Sequence, residues 1–516
     1  MRLLKCWLSK THIKANAKPM KNTATNNYQL PPLVSNILHD KRTHVDNLFA
    51  DAWRDLKFGS LLSRSGFRKR SGTDIVVVIY LLLVWRWINV SSIGKFSEKA
   101  IGLFSDAHRD VMYDTLKRED VNWRKFNLQI ARAVYDRHSL GSSRSRVFVL
   151  DDSIKSRRGK KMEGMSSHFD HVSNTHVMGQ QVLTLALATE ESFLPLDSQI
   201  FISDKKVQPL IKPYKDARSV AAKRHKEAVD QTKNQMAEGM LRRAVRESFS
   251  AEYVVADAWF GNKQMIGTAL SLGLTAILRM KKSKLKYRVK HGRQWQHLDA
   301  KELYQLAVRK QWTKVRNLPW KAVEMTVQVN LTTDKSKNAQ ADYRSVKLLF
   351  VRGIKEEPDS DGSAKDWALF LSTATELASS KILETYSLRW GIEVYFKEAK
   401  QHLGFLQEQT ITFASHIASI HLCAIRYLIL ISGKLDQTGA TVGLLREQIQ
   451  DQLNSLSFAT QLWQIFRAII NGSLNSICGK LNCSVAVIMK IIDKEVEVFF
   501  VKSLQLDVYT MRLEHE

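Results

Sequence analysis

The sequence contains few cysteines, with four in 516 residues: Cys6, Cys423, Cys478 and Cys483. So few cysteines in so long a chain cannot build the disulfide framework of a small secreted protein, and we expect a reducing compartment. Cys478 and Cys483 lack the close spacing and the second pair that are typical of a structural zinc site, so no zinc is expected. We interpret the cysteines as core residues.

Long apolar runs are also missing from the sequence. The longest, from Ile75 to Trp85, is well short of the about 20 residues that cross a bilayer. It therefore predicts a buried helix, and no association with a membrane is expected. The basic N-terminus has no sustained apolar segment and no small-residue cleavage site, so export is not predicted either.

Acidic residues are in deficit. Asp and Glu number 51 against 78 Lys and Arg, and the formal net charge is +27. An excess of this size indicates a polyanionic partner, because neutralised phosphates release counterions and so favour association. The alternative is a solvated surface that is simply basic. The hydrophobic content of 44% is typical of a folded chain, and at about 150 residues per domain the length suggests roughly three units.

The residue pattern, and with it the predicted secondary structure, changes along the chain. The segments VFVLDDS from Val147 and YVVADAW from Tyr253 read as buried strands around a long helical stretch, which indicates an α/β architecture. Alternating apolar residues from Val323 to Leu331 predict a half-buried strand. The predicted parts are a basic flexible tail (1–30), a helical DNA-binding domain (31–140), an α/β domain (141–435) with a β insertion (281–363), and a helical C-terminal domain that could mediate dimerisation (436–516).

Three acidic positions lie in sequence contexts that suit catalysis or ligand binding. Asp151 and Asp152 follow the strand VFVL, and Asp257 follows YVVA. A carboxylate at the end of a buried strand lies at the sheet edge, where it can face a ligand from a fixed position. The alternative for each aspartate is a turn or a helix N-cap. Glu393 has the richest surroundings, in the segment YSLRWGIEVYFKEAK.

A helix through this segment would gather charges around Glu393. At 100° per residue, one face holds Glu393 together with Tyr386, Arg389, Lys397 and Lys400. The opposite face is apolar, with Leu388, Ile392, Tyr395 and Ala399. Taken alone, the charged face could equally be solvated, with i,i+4 salt bridges worth only about 0.3–0.5 kcal/mol each.

Tyr386, Arg389, Glu393 and Lys400 reproduce a Y-x2-R-x3-E-x6-K pattern without a gap. In this the sequence resembles bacterial transposases of the insertion sequence 4 family. The segment LDDS resembles the first acidic motif of that family, and ADAWFGN resembles the second. LGFLQEQTITFASHIASIHLCAIRYL resembles the segment after the glutamate, so the resemblance covers about residues 145–435.

The resemblance implies an RNase H-like catalytic core with a β-rich insertion, flanked by helical domains. Asp151, Asp257 and Glu393 would be the catalytic and metal-binding acids, with Asp152 as the alternative to Asp151, which is favoured because it directly follows the strand. The metal would be Mg²⁺ or Mn²⁺, as two ions, since oxygen ligands suit both. Tyr386, Arg389 and Lys400 would contact phosphates beside the cut, and Lys397 would be a further backbone contact.

The function implied is that of a DNA transposase in the bacterial cytoplasm, at the nucleoid. Its partners would be double-stranded DNA, as terminal inverted repeats and as target, and a second copy of the chain in a homodimer. Three alternatives remain open at this point. They are a catalytically silent DNA-binding descendant, a metal-dependent nuclease on the same fold, and a basic RNA-binding or structural protein.

Overall fold

The computed structural model describes most of the chain between residues 43 and 454 and a few short pieces beyond. The described residues are 43–45, 48–88, 90–101, 105, 107–170, 173–332, 340–353, 367–454, 466, 470, 473–474, 484–489, 491–492 and 508–510. The predicted tail, residues 1–30, lies outside them.

The described elements alternate between helical and β-rich stretches. The helices are α1 (Leu48–Asp55), α2 (Phe58–Arg64), α3 (Ile75–Val84), α4 (Ile93–Lys99), α5 (Arg109–Leu116), α6 (Trp123–Arg137), α7 (Val220–Asp230), α8 (Lys233–Arg246), α9 (Lys263–Ser271), α10 (Ala300–Val308), α11 (Ser379–Ser387), α12 (Trp390–Gln401) and α13 (Phe413–Asp436). The strands are β1 (Thr43–Val45), β2 (Val147–Ser156), β3 (Ser166–Asp170), β4 (Thr175–Ala188), β5 (Phe193–Phe201), β6 (Tyr253–Ala256), β7 (Thr275–Met280), β8 (Tyr287–His291), β9 (Gln294–Leu298), β10 (Thr313–Lys314), β11 (Trp320–Asn330), β12 (Tyr343–Gly353), β13 (Trp367–Ser372) and β14 (Val508–Thr510).

The strands β2 to β13 form one large mixed sheet. Its central part has the order β5-β4-β2-β6-β7. Strands β2, β6 and β7 are parallel, and β4 is antiparallel to its three neighbours, β2, β3 and β5. The mixed α/β class expected from the sequence is confirmed, and this arrangement is consistent with an RNase H-like core.

The predicted β insertion continues the same sheet. Strands β8 to β12 and helix α10 lie within residues 281–363, and β13 joins this part to β7 by antiparallel pairing. The strand expected from the alternating sequence is confirmed as β11, in which buried Val327 and Val329 flank a more exposed Gln328. The insertion therefore widens the sheet and does not build a second one.

The helices α1 to α6 precede the sheet in the chain. The helix expected from the apolar run is confirmed: α3 is almost entirely buried, and Asp74 caps it by accepting a hydrogen bond from the Val76 backbone N–H at 2.7 Å. Helix α6 packs against β5 and α13, and one continuous apolar core joins these helices to the sheet. The limits of a separate N-terminal domain, 31–140, stay a prediction.

Helix α13 is the central core helix. Within the described part of the chain, it alone is long and apolar enough to cross a membrane by length and composition, but its apolar window is wholly buried in the structure. The Arg426 guanidinium lies inside the core and donates hydrogen bonds to the carbonyls of Leu82, Leu83 and Leu403. These bonds anchor α13 to the end of α3, so its apolar composition reflects packing on all sides.

The segment after α13 is described only in part. Residues 442–454 are helical, whereas β14 pairs antiparallel with β1 and departs from the expected helical pattern. Most of the predicted C-terminal domain, 436–516, lies outside the described residues. Its role as a dimer interface stays a prediction.

Candidate active site

Two of the three acids come together where strand β6 ends. In the parallel pair of β2 and β6, the last paired residues are Leu150 and Ala256. Asp151 is the next residue of β2 and Asp257 is the first residue after β6, so they lie side by side at the same edge. The charge of Asp257 accordingly helps to raise the pKa of Asp151.

The expectation that Asp151 ends its strand is wrong. Strand β2 continues to Ser156, because its other edge stays paired with β4 as far as Gly179. Only β6 ends at this level. Asp151 therefore lies in the middle of β2, at the point where β2 no longer pairs with β6. Only Asp257 follows the end of a strand.

Asp151 and Asp152 point to opposite faces of the sheet, because side chains alternate along a strand. Asp151 Oδ2 accepts a hydrogen bond from Arg389 Nη1 at 2.6 Å. Asp152 accepts from Gln181 Nε2 at 2.8 Å and pairs with Lys233 Nζ at 2.7 Å. Lys233 is nearly buried, so Asp152 is committed to an ion pair on the face away from Arg389.

Glu393 is linked to Asp151 through a hydrogen-bonded arginine, Arg389. It lies in the first turn of α12, and its Oε1 accepts a hydrogen bond from Arg389 Nη2. The Arg389 guanidinium is thus shared between Asp151 and Glu393, and Arg389 as a whole is 8% exposed. The sequence assigned Arg389 to DNA phosphates and gave no indication that it would bridge two of the acids.

A single helix from Tyr386 to Lys400 is not what the structure contains. Helix α11 ends at Ser387 and α12 begins at Trp390, with a tighter turn of i→i−3 backbone bonds between them. Next to this turn, Gly391 lies so close to β5 that an added Cβ would be 2.5 Å from Phe193 Cδ2. The lack of a side chain at Gly391 therefore lets the first turn of α12 approach the sheet.

The remaining signature residues occupy different environments. Tyr386 is 3% exposed, and its ring packs edge-on against Phe370 with centroids 4.8 Å apart. Lys397 is exposed on α12. Lys400 is partly buried, and its Nζ donates to the Ile154 carbonyl at 2.9 Å. Their roles in DNA binding stay predictions.

Changing Gly391 to alanine is expected to destabilise the protein. The added methyl group would overlap the Phe193 ring, and overpacking of this kind costs about 1–3 kcal/mol. Urea unfolding of purified protein would measure the loss. Gly267→Ala is the matched control, because nothing lies within 4 Å of its Cβ position in α9, and alanine is favoured over glycine in a helix. Equal stability of the Gly391→Ala variant and the unaltered protein would contradict the close packing.

The loop after Asp257 is fixed by short-range contacts. Asp257 Oδ1 accepts a hydrogen bond from the Trp259 backbone N–H at 2.9 Å, and Asn262 caps α9. Gly261 approaches β7 so closely that a Cβ would lie 2.3 Å from the Arg279 carbonyl oxygen. The motif ADAWFGN thus holds the Asp257 carboxylate in place at the sheet edge.

The chemistry of these acids fits a divalent cation. Burial raises the pKa of Asp151 to about 7, Arg389 opposes this, and the charges of Asp257 and Asp152 add to it. A positive charge between the acids is therefore favourable, and carboxylate oxygens are the ligands that Mg²⁺ and Mn²⁺ prefer. Over the described residues no three acid, histidine or cysteine side chains are grouped as a ready metal site, since Arg389 stands between Asp151 and Glu393.

Comparison with known proteins gives one family match, over the first two acidic motifs. Residues 91–335 match a family model described as DDE superfamily endonuclease. The match covers a little under half of the chain, includes Asp151 and Asp257, and ends within the β insertion, before Glu393. No curated protein matches the chain. Over this region the chain is therefore similar to DDE superfamily endonucleases, a family that acts on DNA and generally uses divalent metal ions.

Proposed function

We propose that the protein is a DNA transposase that binds the inverted-repeat ends of an insertion sequence, cuts the DNA there and joins the freed ends to target DNA. The observation that carries this proposal is that Asp151 lies beside Asp257 at one edge of the sheet and shares the Arg389 guanidinium with Glu393. Two copies of the chain would pair the two ends, in the bacterial cytoplasm at the nucleoid.

The three acids would hold Mg²⁺ or Mn²⁺. Two such ions, when bound, activate the attacking oxygen and neutralise the leaving oxygen of a phosphodiester. Asp151 and Asp257 are fixed on the sheet, whereas Glu393 is carried by α12. Water would be the first nucleophile, and the freed 3′-hydroxyl would then attack the second strand or the target DNA.

Arg389 has a second role in this proposal. A guanidinium pairs as well with a phosphate as with a carboxylate, so Arg389 can exchange its two acids for the phosphate beside the cut when these acids bind metal. The Tyr386 ring, whose centroid lies 5.9 Å from the guanidinium carbon, limits where Arg389 can move. Lys397 and Lys400 follow on α12 and would contact the same DNA strand, positioning it without reading its sequence.

A plasmid that carries the DNA naturally flanking the gene tests the proposal. Incubated with purified full-length protein and Mg²⁺, it should be cut at both flanks and give joined products. Glu393→Gln should abolish both while DNA binding remains, because a metal-binding carboxylate is lost. Glu384→Gln is the matched control, since Glu384 is exposed on the neighbouring helix α11.

Other outcomes assign the protein differently. Binding without breakage would identify a catalytically silent descendant, and cutting without joining would identify a nuclease. Cleavage that persists in Glu393→Gln would contradict the assignment of the third acid.

A further inference from the structure

A lysine outside the signature shares a face with the acids. Side chains two and four positions apart on a strand point the same way, so Lys155 lies on the Asp151 face of β2. At about 3.3 Å per residue, it lies about 13 Å further along the strand.

Helix α12 runs beside β2 over a similar distance. Lys400 is seven residues after Glu393, about 10 Å along a helix, and its Nζ contacts the carbonyl of Ile154, the residue before Lys155. The face of β2 that lies against α12 is called here the shared face. At one end of it are Asp151 and Glu393, and at the other end are Lys155 and Lys400.

Two further cations, Arg86 and Arg157, interact electrostatically with Lys155. The Nε of Arg86 donates to the His402 carbonyl at 3.2 Å, and the guanidinium of Arg157 donates to the Leu406 carbonyl. These bonds hold both guanidinium groups in place. Burial lowers the pKa of Lys155, and the charges of Arg157 and Arg86 lower it further.

The positive charge of this cluster is only partly balanced. Burial and Lys155 lower the pKa of Lys400, while Asp170 favours its charged form. Glu408 favours the charged forms of Arg86 and Arg157, but it is buried and also interacts with Arg426. Among the residues that the structure describes, Lys155 forms no ion pair. An anion from outside would supply the missing partner.

We propose that Lys155, together with Arg86, forms a second phosphate-binding subsite that holds a DNA strand a few nucleotides from the phosphate that is cut. This inference rests on the proposed action on DNA. The ligand is a backbone phosphodiester, because ammonium and guanidinium groups match phosphate and carry no information about the base. The strand would run along the shared face from the acids to Lys155.

The salt dependence of DNA binding tests the subsite. Each phosphate contact contributes about 0.9 to the slope of log affinity against log salt concentration. With the full-length chain and labelled duplexes of flanking and of unrelated sequence, Lys155→Gln should reduce the slope by about that amount on both duplexes. Lys155→Met, which keeps the apolar stem, should do the same, and Lys155→Arg should keep the original slope.

Lys226→Gln is the control, because Lys226 is exposed on α7. An unchanged slope in Lys155→Gln, or an equal reduction in Lys226→Gln, would overturn the subsite. If the unaltered protein excises the plasmid segment and only the slope result fails, the proposed function stands without the subsite. If the unaltered protein does not bind DNA, both fail.

Discussion

Replacing Asp151 by asparagine is expected to lower DNA cleavage by about 10³-fold or more, because a carboxylate that would hold the metal is lost. Asparagine has nearly the same size, and Glu393 still pairs with Arg389. The variant should therefore fold and bind DNA. The Mg²⁺-dependent plasmid assay measures the loss, with DNA binding recorded on the same preparations.

Asp152→Asn is the natural comparison for Asp151→Asn. Asp152 lies on the other face of β2, where it pairs with Lys233. Its loss should lower stability, because it removes a charge that balances a nearly buried lysine. Cleavage at a temperature where this variant is folded should fall by less than about 10²-fold, as for a residue that positions its neighbours. If instead Asp152→Asn abolishes cutting and Asp151→Asn spares it, the first acid is Asp152.

Replacing Asp197 by asparagine is expected to cost about 3–5 kcal/mol of unfolding free energy, because it removes a buried carboxylate that pairs with two largely buried arginines. Asp197 lies on β5 and is 1% exposed. Its carboxylate pairs with Arg124 of α6 at 3.1 Å and with Arg243 of α8 at 2.7 Å. These two ion pairs thus connect helix α6 to strand β5 and to helix α8. Helix α8 also carries Lys233, the partner of Asp152.

The lowered pKa of the Asp197 carboxylate predicts how the stability of the protein depends on pH. Burial acts to raise the pKa of Asp197, but Arg124, Arg243 and Arg224 outweigh it and hold the pKa well below its usual range. A depressed pKa contributes stability above the unfolded value of about 3.9 and loses it as the pH falls below that value. The free energy of unfolding in urea, measured at neutral pH and below pH 4, should therefore fall less on acidification in Asp197→Asn than in the unaltered protein.

Asp216→Asn is the control for this comparison. Among the described residues, Asp216 forms an ion pair only with Arg218, whose side chain is 90% exposed, so its replacement should change stability little. An Asp197→Asn variant as stable as Asp216→Asn would contradict the importance of the buried pair.

The sequence by itself determined the class of the fold and pointed to the acidic residues of the candidate site. The run from Ile75, the alternation around Val327 and the strand before Asp257 depend on local periodicity, which one stretch of chain carries alone. The strands before them located Asp151 and Asp257, and the Y-x2-R-x3-E-x6-K pattern, which also lies in one stretch of chain, located Glu393. Helix α13 was not identified as a buried element, because polar residues such as Arg426 interrupt its apolar pattern and find their partners only in the folded core.

Only the tertiary structure decided how these residues meet. Strand β2 continues past Asp151 because β4 pairs with it from a distant part of the chain, and the choice of face for Asp151 and Asp152 depends on which helices cover the sheet. Arg389 lies between two acids 238 and four residues away. Such contacts depend on which segments pack together, and that information resides in the whole chain and not in any one motif.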